Sequence, residues 1–156
     1  MSFQINALPE AFAARLFALS DEALAEIPAK KITVDTNPGF PCRVSLADAE
    51  VGETVILVHY VHQPHNTPYK ASHAIFVRQG VTQATPTVGE VPKALEMRVL
   101  SVRAFNGSHD MIDADVVDGE MAADSIRRMF KNPEVAYLHL HNAKPGCFAA
   151  SVTRPY

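Results

Sequence analysis

Tyr137-Leu138-His139-Leu140-His141, then Asn142-Ala143-Lys144-Pro145-Gly146, then Cys147-Phe148-Ala149-Ala150-Ser151-Val152-Thr153, is the stretch that decides the fold. Leucine alternates with histidine at a period of two, and a strand sends successive side chains to opposite faces. Leu138 and Leu140 therefore share the core face, while His139 and His141 project together from the other. The Asn-Ala-Lys-Pro-Gly composition marks a turn, so the strands 135–141 and 147–153 pair as a hairpin.

Working outward, the same grammar recurs toward the amino terminus. Glu96 to Phe105 and Met111 to Val117 flank Asn106-Gly107-Ser108-His109-Asp110, which predicts a second hairpin. With Phe105 opposite Met111, Arg103 faces Asp113 and Ser101 faces Asp115, and an Arg103 to Asp113 cross-strand ion pair is expected. Asp118-Gly119 opens a helix that carries Met121, Ser125, Arg128 and Met129 one or two turns apart and runs to Phe130, where Asn132-Pro133 stops it. Thr54 to His62 is apolar on both faces over most of its length and reads as a central strand beside Ser72 to Arg78. Strands are also expected from Lys31 to Val34 and from Cys42 to Leu46. Two short helices lead the chain, Pro9 to Leu19 with Phe12, Leu16 and Leu19 at helical spacing, and Asp21 to Ile27 with Ser20 as its N-cap. The predicted architecture is α+β: a single globular domain spanning 1–156, with a mainly antiparallel sheet, two short N-terminal helices and one helix before the last hairpin.

Composition narrows the function classes. A chain of 156 residues is one domain in size and buries enough surface to fold without a metal or disulfide staple. Fourteen Lys+Arg against seventeen Asp+Glu give a net charge of −3, which removes the broad cationic face that phosphate-backbone binding needs. The longest wholly aliphatic run is Val55 to Val58, where a membrane span takes about twenty residues. The opening residues, with Glu10 and Asp21 and no basic start before an apolar stretch, do not read as a signal peptide. Two cysteines are too few for a secreted disulfide framework. The expectation is a cytoplasmic protein with reduced thiols, whose partner is a small molecule and neither nucleic acid nor membrane.

The candidate site residues follow from chemistry and placement. His139 and His141 converge on one face, and imidazoles serve there as metal ligands or as a base and its neighbour. Cys147 follows Lys144-Pro145-Gly146, where a nearby lysine and imidazoles favour a thiolate. A four-residue turn sets Asn142 opposite Cys147 on the Leu140 face, away from His141, and a one-residue slip reverses this. Cys42 likewise starts a strand after a Pro/Gly loop, with Arg43 beside it as a bidentate clamp for a carboxylate or phosphate. The connection from His59 to His73 carries histidines, tyrosines and amides. Within it His73 and Tyr69 are candidate binding residues with Asn142, while His62 and His65 are read as exposed loop polarity. Asp113 and Asp115 share a strand face but pair more simply with Arg103. No Gly-x-Gly-x-x-Gly, P-loop, Gly-x-Ser-x-Gly or His-Glu-x-x-His occurs.

Four blocks carry a resemblance: Asn-Pro-Gly-Phe-Pro-Cys-Arg-Val-Ser-Leu at 37–46, Pro-Tyr-Lys-Ala-Ser-His-Ala-Ile-Phe-Val-Arg at 68–78, Asp-Ala-Asp-Val-Val-Asp-Gly at 113–119 and His-Leu-His-Asn-Ala-Lys-Pro-Gly-Cys at 139–147. With these the chain resembles, over almost its whole length, the bacterial family labelled domain of unknown function 1203 (DUF1203). The resemblance implies a bacterial, single-domain, intracellular protein and carries no reaction, cofactor or catalytic residue to any position.

Three readings stay open. One is a thiol-dependent hydrolase or transferase, with Cys147 or Cys42 as nucleophile and His139, His141 or His73 as base. Another is a metal site of His139 and His141 with a third ligand from His73, Asp115 or a cysteine. The last is a non-catalytic ligand-binding or interaction domain in which the thiols only pack.

Overall fold

The computed structural model describes residues 1–156 and shows an α+β chain with mainly antiparallel sheets. It divides into two compact units, one of residues 1–6, 61–73 and 85–156, the other of residues 7–60 and 74–84.

The first unit is built on a five-stranded sheet. Its strands β1 (Gln4–Asn6), β5 (Val99–Phe105), β6 (Met111–Asp118), β7 (Tyr137–Asn142) and β8 (Phe148–Thr153) lie in the order β1-β8-β7-β5-β6. Every ladder is antiparallel, with Leu140 opposite both Val102 on β5 and Ala150 on β8. The alternation read from the sequence holds: Leu100, Val102, Leu138, Leu140 and Val152 are wholly buried on one face. Helix α4 (Ala122–Phe130) packs on β5 and β6. Its buried residues Ala122, Ser125, Ile126, Met129 and Phe130 recur at the three-and-four spacing of a single helical stripe. A turn of 3-10 helix, Gly119–Met121, precedes it.

The second unit holds α1 (Glu10–Phe17), α2 (Asp21–Ala25) and β2 (Ala29–Thr33), with most of β3 (Thr54–Gln63) and β4 (Ala71–Arg78). The Ser20 hydroxyl accepts from Ala23 N at 3.1 Å, as an N-cap should. Sheet order is β2-β3-β4, so β3 is central. Val34, Ala49 and Val55 form its buried cluster with Ile32, Phe40 and Phe76 packed on it. The far end of the β3–β4 hairpin, residues 61–73, belongs to the first unit.

Three expectations are corrected. Residues 42–46 are not a strand: Cys42 N bonds Ala47 O and Leu46 N bonds Cys42 O, both at 3.0 Å, closing a tight turn with Leu46 at φ +51°. The start of the expected strand at Glu96 belongs to a short helix, α3 (Lys93–Glu96). The Arg103 to Asp113 pair does not form, because a β-bulge at Ala104/Phe105 shifts the register and sets Arg103 opposite Ala114. That one-residue offset puts Asp113 on the α4 side, where Arg128 reaches it at 3.1 Å and Asp115 at 3.4 Å, and turns Arg103 to the other face. No helix is long and apolar enough to cross a membrane.

Gly119 is fixed by its surroundings, since a Cβ there would overlap the carbonyl oxygens of Leu95, Glu96 and Arg98. Gly119→Ala is expected to lower the unfolding free energy by about 3 kcal/mol, read as a drop in the urea midpoint.

Candidate functional site: a buried three-histidine cluster

Of the seven histidines, all except His59 fall in the first unit. His139 and His141 leave β7 on the face opposite Leu138 and Leu140, as the alternation requires, and both are buried. The third member comes from the end of β3. His62, His139 and His141 each bring one ring nitrogen to within 4.8 Å of the others. The His62 and His141 ring centroids are 4.7 Å apart, and His62 lies parallel to Phe148 at 5.6 Å. Phe148 also meets His139 edge-on at 5.1 Å, so one aromatic ring buttresses the trio.

The cluster is short of hydrogen bonds in a particular way. His62 Nδ1, His139 Nδ1 and His141 Nε2 are buried without a partner, one nitrogen from each ring. On His141 the remaining nitrogen explains the choice of tautomer. Its Nδ1 sits 3.1 Å from Gly146 O, and a carbonyl only accepts, so the proton is on Nδ1 and the lone pair on Nε2. Gly146, at φ +84°, provides that carbonyl from the hairpin turn.

Burial keeps all three rings uncharged. Desolvation, reinforced by the Arg103 guanidinium and the other imidazoles, lowers His139 and His141 to about 3. His62 falls to about 4, again mainly by desolvation, with Arg103 and His73 adding. Arg103 stands opposite His139 and Ser101 opposite His141 on the same sheet face, and Arg103 Nε donates to Ser101 Oγ at 3.1 Å. Beside the trio, Tyr137 OH accepts from Gln63 Nε2 at 2.9 Å and meets His109 Nδ1 at 2.9 Å. His65 stacks on His109, 3.3 Å between centroids.

The other sequence candidates are distributed differently. Cys147 pairs with Asn142 across the turn (Asn142 N to Cys147 O, 2.9 Å), and the Asn142 amide nitrogen lies 3.6 Å from its sulfur. Asn142 continues the Leu138–Leu140 row, so the thiol takes the sheet face away from His139 and His141. Tyr69 is partly exposed and meets Phe105 edge-on at 6.5 Å. His73 bears on His62 electrostatically but is outside the trio. Cys42 and Arg43 belong to the second unit, both buried. There the Cys42 sulfur accepts from the backbone of Val44 and Ser45 at 3.4 Å and of Arg78 at 3.3 Å, and Arg43 donates to Pro41 O.

His62 is the residue that sequence reasoning missed. Its signal was parity: Ile56, Val58, Tyr60 and His62 share one face of β3, and Ile56 and Val58 are buried.

Fold and site together define an α+β protein with a largely buried, uncharged three-histidine constellation on the face of an antiparallel sheet opposite its leucine core. The chain matches the family model described as "Protein of unknown function (DUF1203)" over residues 39–154 and belongs to that family. No curated protein and no solved structure matched it.

Acid should unfold the metal-free protein through this cluster. Each imidazole titrates near 6.5 in the unfolded chain and at about 3 to 4 when folded, so between those values the unfolded state binds more protons. Stability is therefore full above about pH 6.5, declines as pH falls and levels off near the folded values. Urea midpoints measured from about pH 7 down to about pH 4 should show this slope, and His139→Leu should flatten it while raising stability at neutral pH by about 1 kcal/mol or more.

Proposed function

We propose that His62, His139 and His141 form the binding centre for a divalent transition metal, with zinc the best match. The observation that carries this reading is the coincidence of three buried, partnerless ring nitrogens, one per histidine, with three imidazoles whose donor atoms lie within 4.8 Å of one another. A buried polar nitrogen without a partner is destabilising, and three of them together are matched by a ligand that accepts three lone pairs at once. Neutral imidazole is the ligating form, and burial holds all three rings neutral at physiological pH. The Gly146 carbonyl acts on His141 as the outer hydrogen bond that fixes a ligating tautomer.

Three imidazoles with an open fourth position are a donor set that zinc takes, and the trio's ring nitrogens already lie within 4.8 Å of one another. When bound, such a metal offers Lewis acidity with a fourth position open to water or a ligand. The chain's own contribution is to desolvate and orient the imidazoles and to keep Arg103 beside them. The thiol-dependent reading has less support, because Cys147 shares its sheet face with Leu140 and not with the histidines.

Calorimetric titration with zinc, checked by elemental analysis, should give about one equivalent bound, and zinc at about one hundred times its Kd should stabilise the fold by about 2.7 kcal/mol. His62→Ala and His139→Ala should each weaken binding by about 100-fold or more with the circular dichroism spectrum retained, while Cys147→Ser should leave it unchanged. Wild-type protein that takes up no stoichiometric zinc, cobalt or nickel would sink the proposal.

A further inference from the structure

Arg103 is conspicuous on the histidine face because its charge has no counterpart there. Its one hydrogen bond runs from Nε to the neutral Ser101 hydroxyl at 3.1 Å. No carboxylate contributes to the electrostatics of Arg103 or of the three histidines, and desolvation alone lowers the Arg103 pKa. The acids that sequence pairing assigned to it, Asp113 and Asp115, are engaged by Arg128 on the other side of the sheet. A half-buried guanidinium without an anion is unfavourable by the same reasoning as an unpaired buried charge, and it calls for an anionic partner from outside the chain.

Its position specifies where that partner sits. Directly opposed residues on an antiparallel pair lie about 4.5–5.5 Å apart at Cβ, and Arg103 is opposed to His139. The bond to Ser101, itself opposite His141, holds Arg103 Nε on the side of its strand neighbour that pairs with the second histidine. With Nε engaged, Nη1 and Nη2 remain as one fork edge, which matches the two oxygens of a planar carboxylate. Around His139 stand Phe105 at 5.1 Å, Phe148 at 5.1 Å and Tyr137 at 5.4 Å, ring to ring, which suits a carbon skeleton better than a bare tetrahedral ion.

We infer that Arg103 is the anion-receiving residue of the three-histidine centre and that the ligand class is a small organic carboxylate, both of whose oxygens meet the guanidinium fork while the second lone pair of one of them is directed at the metal. This rests on the metal reading above.

The test uses the intact protein loaded with cobalt(II), whose visible spectrum reports both metal binding and changes at the metal. Acetate, benzoate and inorganic phosphate are titrated separately into wild type, Arg103→Met and Arg103→Lys. In wild type the carboxylates should perturb the cobalt spectrum saturably. In Arg103→Met their apparent Kd should rise by about tenfold to a hundredfold, while cobalt affinity stays the same or increases, because a like charge beside the ligands has gone. Arg103→Lys keeps the charge but loses the fork, and should fall between the two. A cobalt spectrum whose carboxylate response is equal in all three proteins overturns the role of Arg103 and leaves the metal centre standing. Saturable phosphate binding with no response to either carboxylate overturns the ligand class. Absence of any cobalt spectrum in wild type overturns the metal reading itself, and this inference with it.

Discussion

The two-sidedness of β7 is the constraint from which the rest follows. One six-residue strand places Leu138 and Leu140 on the core face and His139 and His141 on the opposite one, so the sheet's stability and the histidine cluster are written into alternate positions of a single segment. Pairing with β5 then sets Arg103 and Ser101 against the same two histidines. Neither set can change register without the other, since a slip of one residue would place imidazole on the apolar core face and leucine in the histidine cluster.

On the histidine face, desolvation sets the chemistry. Removing imidazole from water disfavours its protonated form, and the neighbouring guanidinium disfavours it further. The result is a trio that is neutral over the physiological range but poorly satisfied as a set of hydrogen-bonding groups. Under the proposed metal binding, local stability is traded for readiness to ligate. His141 shows the two roles on one ring, Nδ1 bonded to the turn and Nε2 left with a free lone pair.

Much of the fold was legible in the residues because local and global preferences agree. The period of two in 137–141, the Ser20 cap and the punctuation by Asn-Pro and Pro-Gly all point one way, and β2 to β8 and α4 lie close to where those signals put them, whereas the strand expected at 42–46 is a turn and β1 carried no such signal. The misreadings that moved site residues came from register and long-range geometry, while the turn at 42–46 and the short helix α3 are local features. A bulge at Ala104/Phe105 cannot be seen in a pattern of hydrophobicity, and it reassigned Arg103 and both aspartates together. His139 and His141 were readable as a pair because two positions on one strand share a face. His62 was not, because its approach depends on residues 61–73 packing with 85–156 inside the first unit, contacts between segments far apart in sequence. The match between Cys42 and Cys147 as strand-opening thiols was a likeness of sequence, and the two belong to different units.

The hydrogen bond from His141 to Gly146 makes the hairpin turn a working part of the cluster. The carbonyl that fixes the imidazole belongs to a residue at φ +84°, a conformation that side-chain-bearing amino acids rarely adopt. Length and composition of the 143–146 connection are thereby coupled to proton placement several ångströms inside the sheet. Loop exchange between relatives, ordinarily a harmless graft, would here re-set the basicity of an interior ring.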